Sequence, residues 1–503
     1  MTQDNQSKEN AEGALARRQF LSLTAAGGLG LVAAGELARQ GQASAAPVAA
    51  SGAATQATAA SAGRKPNILV IVADDLGYAD LSIQSPTKDI PTPNIDSLAN
   101  GGVRFTQGYV SCPVCSPTRA GLLTGRYQQR YGHEVNPGPK ADRATFGLPL
   151  SEITLADVLK KSGYSTGIVG KWHLGFQPEH DPTKRGFDEF FGFLPGAHSY
   201  DKLQPNGDSS IYRGTEPVDE KEYLTDAFSR EAESFINRHK SEPFFLYLAY
   251  NAVHLPLEPH PRYADRFPGI TDERRRKYAG LLTALDDGVG RVLSALRANG
   301  LEEDTLIFFI SDNGGPEVTG STNTPLRGWK ATLFEGGIRI PYFIRWKGHL
   351  PEGVTYEKPV ISLDILPTAA AAAGAALPGD RVIDGANLLP HITGHDAAHP
   401  HEYLFWRMGD QSAVRSKDWK IVKADTGVLQ RTFSDASPAV AAQLGKIGET
   451  FTGFKGEELY NLTDDIAESK DRQVEAPEAL KELREAFAQW EKNTVPPAWA
   501  WKA

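Results

Sequence analysis

Two pairs of oxygen-bearing side chains raise the first question of chemistry. Asp74 and Asp75 follow the apolar run "NILVIVA", and Asp312 with Asn313 follows "TLIFFIS". Carboxylates and a carboxamide present only hard oxygen donors, which suit Ca²⁺, or Mg²⁺, better than zinc. The sequence carries no Cys-rich or His-rich cluster with zinc spacing. Two more apolar runs end in groups able to hold an anion or move a proton: Lys171 and His173 after "STGIVG", and His254 after "FFLYLAYNAV". Singly, an acid behind a strand is most often a turn or capping residue, and a loop histidine a surface group. Reactive residues at four run ends make a pattern. In open α/β sheets, ligands bind beyond the carboxyl ends of the strands, so these groups would converge there.

Both cysteines of the 503-residue chain lie in one stretch, "CPVCSPTRAGLLTGRY", from Cys112 to Tyr127. Three uses compete: a redox pair, half of a metal site, or one special cysteine beside a bystander. A Cys112–Cys115 disulfide would close a tiny loop and add little stability to a body of this size. A thioredoxin-like pair has no use for the Pro117 and Arg119 that follow it. Pro117 suits the first turn of a helix, where its missing N–H costs nothing. Cys115 then sits at a helix N-terminus, whose free N–H groups and dipole favour an anion. Arg119, one turn on, can return its guanidinium to the same spot.

The elements that must position these residues are also legible. From residue 66 onward, apolar runs alternate with helical patterns, the signature of an α/β fold with a large, mostly parallel sheet sandwiched by helices. "SEITLADVLKKSG" has Thr154 and Asp157 at capping-box spacing and predicts a helix before the strand "YSTGIVGKWHLG". "EPFFLYLAYNAVHLP" predicts another strand, and a long helix runs from near Thr271 to Gly300. The loop from His198 to Tyr223, with Tyr200 and Tyr212, is expected to shape a pocket. Past about residue 395 the runs shorten. "EYLFWR", "SAVRSKDWKIVKA" and "EELYNL", followed by "APEALKELREAFAQWEK", predict a smaller C-terminal antiparallel sheet with one helix over 396–503. The catalytic domain is then 65–395.

Residues 1–45 read as an address. "ARRQFL", a weakly apolar run from Leu21 to Gly35 and the small-residue site "ASAA" resemble a bacterial twin-arginine signal peptide. That run is too short and too rich in Gly and Ala for a membrane anchor. Residues 46–64 (Ala, Ser, Gly, Thr, Gln) read as a linker. The expected location is therefore periplasmic or secreted, with the Tat export machinery as a partner. The formal charge is −9. In residues 1–45 the acids (Asp4, Glu9, Glu12, Glu36) balance the bases (Lys8, Arg17, Arg18, Arg39), so the body is acidic. No nucleic-acid partner is expected of such a body, and an anionic substrate would need locally placed cations.

"CSPTRAGLLTGR" (Cys115–Arg126) resembles the signature of the type I sulfatases, C-x-P-x-R followed by L-T-G-R. Other blocks match in order: "VADDLGYAD", "GKWHLG", "RGFDEFFGFLPGAHSY", "NAVHLPLEP", "SDNGG" and "LRGWKATLFEGGIRIP". The resemblance covers the chain from about residue 66 to its C-terminus. It implies an alkaline phosphatase-like fold and hydrolysis of a sulfate ester, that of a sulfated carbohydrate ahead of an aryl sulfate. It also implies that a separate maturation enzyme oxidises Cys115 to formylglycine, leaving Cys112 as a bystander. By the same resemblance Asp74, Asp75, Asp312 and Asn313 hold the cation together with the modified Cys115. Arg119 and Lys171 hold the hydrated aldehyde, His173 is the base for elimination, and His254 and Lys330 contact the sulfate and the leaving oxygen.

The implied chemistry explains why an aldehyde is worth building. Hydration gives two hydroxyls on one carbon. One attacks sulfur and expels the alcohol; the other then loses its proton, expels sulfate and regenerates the aldehyde. Serine lacks the second hydroxyl. Two alternatives remain open at this point: a phosphonate or phosphate ester hydrolase of the same superfamily, since both groups are tetrahedral oxyanions, and a noncatalytic anion-binding relative.

Overall fold

The run Asn67–Ala73 forms a strand buried on both faces, and its alternation divides the interior in two. Ile68, Val70 and Val72 join one core with Leu122 and Leu123 of helix Cys115–Thr124, Leu155 and Leu159 of helix Leu155–Lys161, and Ile365 and Leu366 of helix Ile365–Ala373. Leu69, Ile71 and Ala73 join the other, with helices Pro93–Asn100, Leu224–His239 and Glu273–Ala298. A continuous apolar run is what a strand covered on both sides requires. This computed structural model describes residues 64–137, 146–201, 210–425 and 455–499.

The main sheet has ten strands. Its order is Val354–Tyr356, Val103–Phe105, Tyr342–Arg345, Thr305–Ser311, Asn67–Ala73, Phe244–Ala249, Ser165–Lys171, Glu189–Phe193, Ile211–Arg213 and Glu216–Val218. The five strands from Thr305–Ser311 to Glu189–Phe193 run parallel, and antiparallel pairs flank them. Register fixes where the chemistry falls. Ala73 lies beside Ser311, Val72 beside Ala249 and Gly170 beside Ala249, so these strands end together at one edge. The predicted capping box is present: Thr154 and Asp157 cap each other at the start of Leu155–Lys161. The long helix spans Glu273–Ala298, with the Asp272 side chain accepting from the Arg275 N–H.

The C-terminal part is a four-stranded antiparallel sheet, Leu404–Met408, Gln411–Arg415, Trp419–Asp425 and Lys455–Asn461, with helix Pro477–Glu491. One face (Val414, Ile421, Leu459) packs on Leu483 of that helix. The opposite face (Trp406, Ala413, Val422, Tyr460) joins the main core. The segment expected as a loop from His198 to Tyr223 differs in part, because Ile211–Arg213 and Glu216–Val218 form a hairpin that extends the main sheet. Among the described residues no helix is long and apolar enough to cross a membrane.

Candidate active site

Parallel strands that end in register deliver their next residues to one place. Asp74 and Asp75 leave the central strand, Asp312 and Asn313 its neighbour on one side, and Lys171 ends a strand two places away on the other. All five are buried. Lys171 Nζ donates to Asp74 Oδ2 at 2.7 Å, Lys330 Nζ to Asp75 Oδ1 at 2.6 Å, and Arg119 Nη2 and Nε to Asp312 Oδ2 at 2.8 and 3.0 Å. Each aspartate thus has its own cation. Burial alone would raise the pKa of Asp74, but Lys171, His254 and Arg119 outweigh it and hold the carboxyl below its ordinary range. Asp75 is likewise lowered, burial being outweighed by Lys330 and His254.

Cys115 opens helix Cys115–Thr124, as its Pro117 context predicts, after an extended Val114 that offers no side-chain cap. Its Sγ lies 3.6 Å from Asp74 Oδ1 and 3.3 Å from Lys330 Nζ. Burial pushes the thiol up to about 12 despite Lys171 and Lys330 nearby. A thiol so hard to ionise is a poor nucleophile at neutral pH. Cys112 and Cys115 are both buried and unlinked, and Cys112 Sγ points instead at the Glu134 carbonyl, 3.9 Å away.

Ligand atoms of Asp74, Asp75, Cys115 and His254 all lie within 4.8 Å of one another. His254 Nδ1 lies 2.7 Å from the Leu255 carbonyl, which can only accept, so that nitrogen carries the hydrogen and Nε2 faces Asp75 Oδ2 at 3.5 Å. Asn313 Nδ2 donates to Asp75 Oδ1 at 2.7 Å and to the Gly314 carbonyl at 3.0 Å, while its buried Oδ1 has no hydrogen-bond partner among the described residues. An unpartnered buried amide oxygen beside two carboxylates fits a hard cation. Asp312 is more committed, giving Oδ2 to Arg119 and accepting the Asp75 N–H on Oδ1 at 3.2 Å.

His173 has a backbone φ of +59°. Its ring lies against Gly196, where a Cβ would stand 2.6 Å from Cε1, so no larger residue fits there. Burial and the cations Lys171, Arg119 and Lys330 keep this imidazole neutral, well below the ordinary histidine pKa. Tyr200, expected to line a pocket, is instead fully buried, its single hydroxyl proton shared between the Asn251 and His254 carbonyls at 2.8 and 2.9 Å, which supports the His254 turn. Residues 202–209 of that stretch lie outside the described residues.

Several supporting residues were not assigned a role from the sequence, although Asp80 closes the block "VADDLGYAD". Asp80 is buried and accepts from the Gly77 N–H, Tyr278 Oη and the Arg275 guanidinium, tying the Asp74–Asp75 turn to helix Glu273–Ala298. Gln411 Nε2 reaches from the C-terminal sheet to the Ala331 carbonyl at 3.0 Å, next to Lys330. Only contacts between residues distant in sequence reveal such roles.

Beyond the ends of a mostly parallel sheet, a cysteine-led helix, paired aspartates and buried Lys171, Lys330 and Arg119 make a setting able to hold a tetrahedral oxyanion. The sulfatase family profile matches residues 66–375, and the chain belongs to that family, whose members are sulfuric ester hydrolases. It is 39% identical over 360 residues to mouse N-acetylgalactosamine-6-sulfatase, covering 66% of this chain and 67% of the relative. It is 36% identical over 462 residues to bovine arylsulfatase A, covering 84% and 86%. The crystal structure of Ps i-CgsB in complex with k-i-k-neocarrahexaose superposes with a TM-score of 0.78 at 35% identity, covering 88% of this chain and 96% of that one. A phosphonate monoester hydrolase from Silicibacter pomeroyi shares the fold, with a TM-score of 0.58 at 19% identity over 86% of this chain and 96% of that one.

Proposed function

We propose that the chain hydrolyses sulfate esters of carbohydrates through formylglycine at position 115, with Ca²⁺ (or Mg²⁺) held by Asp74, Asp75, Asp312, Asn313 and the residue-115 side chain. The observation that carries this is the setting of Cys115. It sits at a helix start between Asp74 and Lys330, with a thiol too hard to ionise to serve as a thiolate. A bound divalent cation supplies Lewis-acid stabilisation of charge on the reacting oxygens. Arg119 and Lys171 hold position 115 and its developing charge, and His173, kept neutral, is free to accept the proton whose loss releases sulfate. His254 and Lys330 face the sulfate and the departing oxygen. Buried cations at the strand ends also explain how an acidic protein attracts an anion.

Relatives named for N-acetylgalactosamine-6-sulfate and a neighbour complexed with a neocarrahexaose support a carbohydrate substrate over a simple aryl sulfate. Sulfate release from a panel of sulfated glycans, against matched phosphate and phosphonate esters, tests the reading. Turnover of the sulfated members is expected, and faster hydrolysis of the phosphorus esters would overturn it. Maturation requires a formylglycine-generating enzyme. Export through the twin-arginine route to the periplasm belongs to the same proposal. Its signal falls on residues 1–45, outside the described residues, and cell fractionation with Arg17→Lys/Arg18→Lys checks it.

A further inference from the structure

Helix Cys115–Thr124 receives no cap from its own Val114, yet its first turn is not left open. The Ser116 N–H donates to Asn136 Oδ1 at 3.0 Å. Ser116 Oγ lies 2.5 Å from the His173 carbonyl and 2.7 Å from His133 Nε2. A hydroxyl has one proton, and a carbonyl can only accept, so that proton goes to His173. His133 must then donate from Nε2 to Ser116 Oγ. The result is a directed chain: imidazole N–H to hydroxyl, hydroxyl to the carbonyl of His173. It ends on a residue whose left-handed backbone, at φ +59°, is uncommon outside glycine and must be held by its surroundings.

His133 is itself fully buried and held in place from behind. Trp499 packs edge-on against it, ring centroids 4.7 Å apart. The tail bearing Trp499 is tied to the loop before His133: Val495 N–H donates to the Gln129 carbonyl at 2.9 Å, and Ala498 N–H to the Gly132 carbonyl at 2.8 Å. A side chain at Gly132 (φ +78°) would stand 2.9 Å from the Ala498 nitrogen, so the tail could not close on it. Arg407 bridges Glu134 Oε1 at 2.6 Å and the Val495 carbonyl at 2.7 Å.

We infer that His133, acting through Ser116 and backed by the tail at Trp499, is a positioning residue for His173 in sulfate release. Substrate need not touch it. The inference rests on the role proposed above for His173, and it concerns the step after the alcohol has left. A displaced His173 slows loss of the second hydroxyl proton while leaving ester binding intact, so alcohol release should run ahead of sulfate release.

Two matched pairs of substitutions test this in full-length enzyme, with formylglycine occupancy measured by peptide mass spectrometry and rates expressed per modified chain. His133→Leu removes the donor at similar volume, while His133→Gln keeps an N–H at that reach. Ser116→Ala removes the hydroxyl, and Ser116→Thr keeps it. The Leu and Ala variants should lose about 10–100-fold in kcat, the usual effect of a supporting residue behind a reactive group, with KM little changed. They should also show a stoichiometric burst of alcohol before steady sulfate release. Gln and Thr should recover most of the loss, and His133→Leu with Ser116→Ala should cost no more than either alone. Wild-type kcat in His133→Leu or Ser116→Ala, equal losses in the Gln and Leu variants, or additive losses in the double variant would overturn the inference. A fully modified wild type that turns over no sulfate ester would instead overturn the proposed function.

Discussion

Among the described residues, two buried ionic clusters show opposite outcomes of the contest between burial and nearby cations, Asp74 and Asp75 lowered and Glu468 raised. At the strand ends, Asp74, Asp75 and Asp312 each face a separate cation (Lys171, Lys330 and Arg119), and the Asp74 and Asp75 carboxyls are held below their ordinary pKa. Under the C-terminal sheet, Glu335 has Arg339 at 3.2 Å and shares Lys420 with Glu468, at 2.8 and 2.9 Å. There burial, with Glu335 close by, pushes Glu468 up to about 7 although Lys420 pulls the other way. Burial opposes ionisation in both places; Asp74 is answered by Lys171, His254 and Arg119, whereas Glu468 has Lys420 alone and a neighbouring carboxylate in Glu335. The second cluster is closed by internal partners: Tyr109 Oη donates to Glu335 at 2.6 Å, and the Glu335 N–H to Glu468 at 2.6 Å. The first retains the Asn313 Oδ1 and His173 Nδ1, neither with a partner among the described residues, and a partly exposed His254. One cluster keeps open donor atoms, and the other ties the C-terminal sheet to the helix Glu335–Ile338.

The sharpest way to break this contrast is at position 115. Cys115→Ala should lower sulfate release by ~10⁴-fold or more, as loss of a nucleophile does. Cys115→Ser should turn over slowly at best, because the second hydroxyl is missing. An unmodified Cys115 peptide from fully active enzyme would remove the proposed chemistry. Chelation should come next, with activity falling ~10³-fold as several kcal/mol of charge stabilisation is lost, then returning with Ca²⁺ or Mg²⁺. Stoichiometric zinc by metal analysis would contradict the oxygen-donor site.

His254→Ala should cost ~10²–10⁴-fold on esters with strongly basic leaving groups and less on activated aryl sulfates. Equal losses on both would move the proton donor to Lys330. At the closed cluster the effect should be on stability instead. An acid raised from 4.5 unfolded to about 7 folded binds extra protons in the native state, so its stabilisation is complete below pH 4.5 and gone above pH 7. Glu468→Gln should flatten thermal stability against pH in that window, by at most about 1.4 kcal/mol per pH unit, with kcat near wild type. A large kcat loss in that variant would erase the distinction between the clusters. Smallest of all, Cys112→Ser should keep most activity, since the Glu134 carbonyl can accept the new hydroxyl.

Much of this architecture could be read directly from the chain. Apolar runs such as Asn67–Ala73 and Thr305–Ser311 name buried strands, because they are short, rich in Ile, Val and Phe, and continuous as a strand covered on both faces requires. The residues closing those runs name the edge where chemistry collects, and the block from Cys115 to Arg126 names the family. Periodicity and local spacing report what a segment does to its own neighbours. They are silent on partners far along the chain. Tertiary structure alone decided that Tyr200 lies beneath His254 rather than in a pocket, that Lys420 serves two glutamates, and that Gln411 steadies the Lys330 segment. It alone decided that Asn136 caps the Cys115 helix and that His133 reaches His173 through Ser116. Each of these depends on contacts between segments separated along the chain, which meet only when the strands, in register, bring them together.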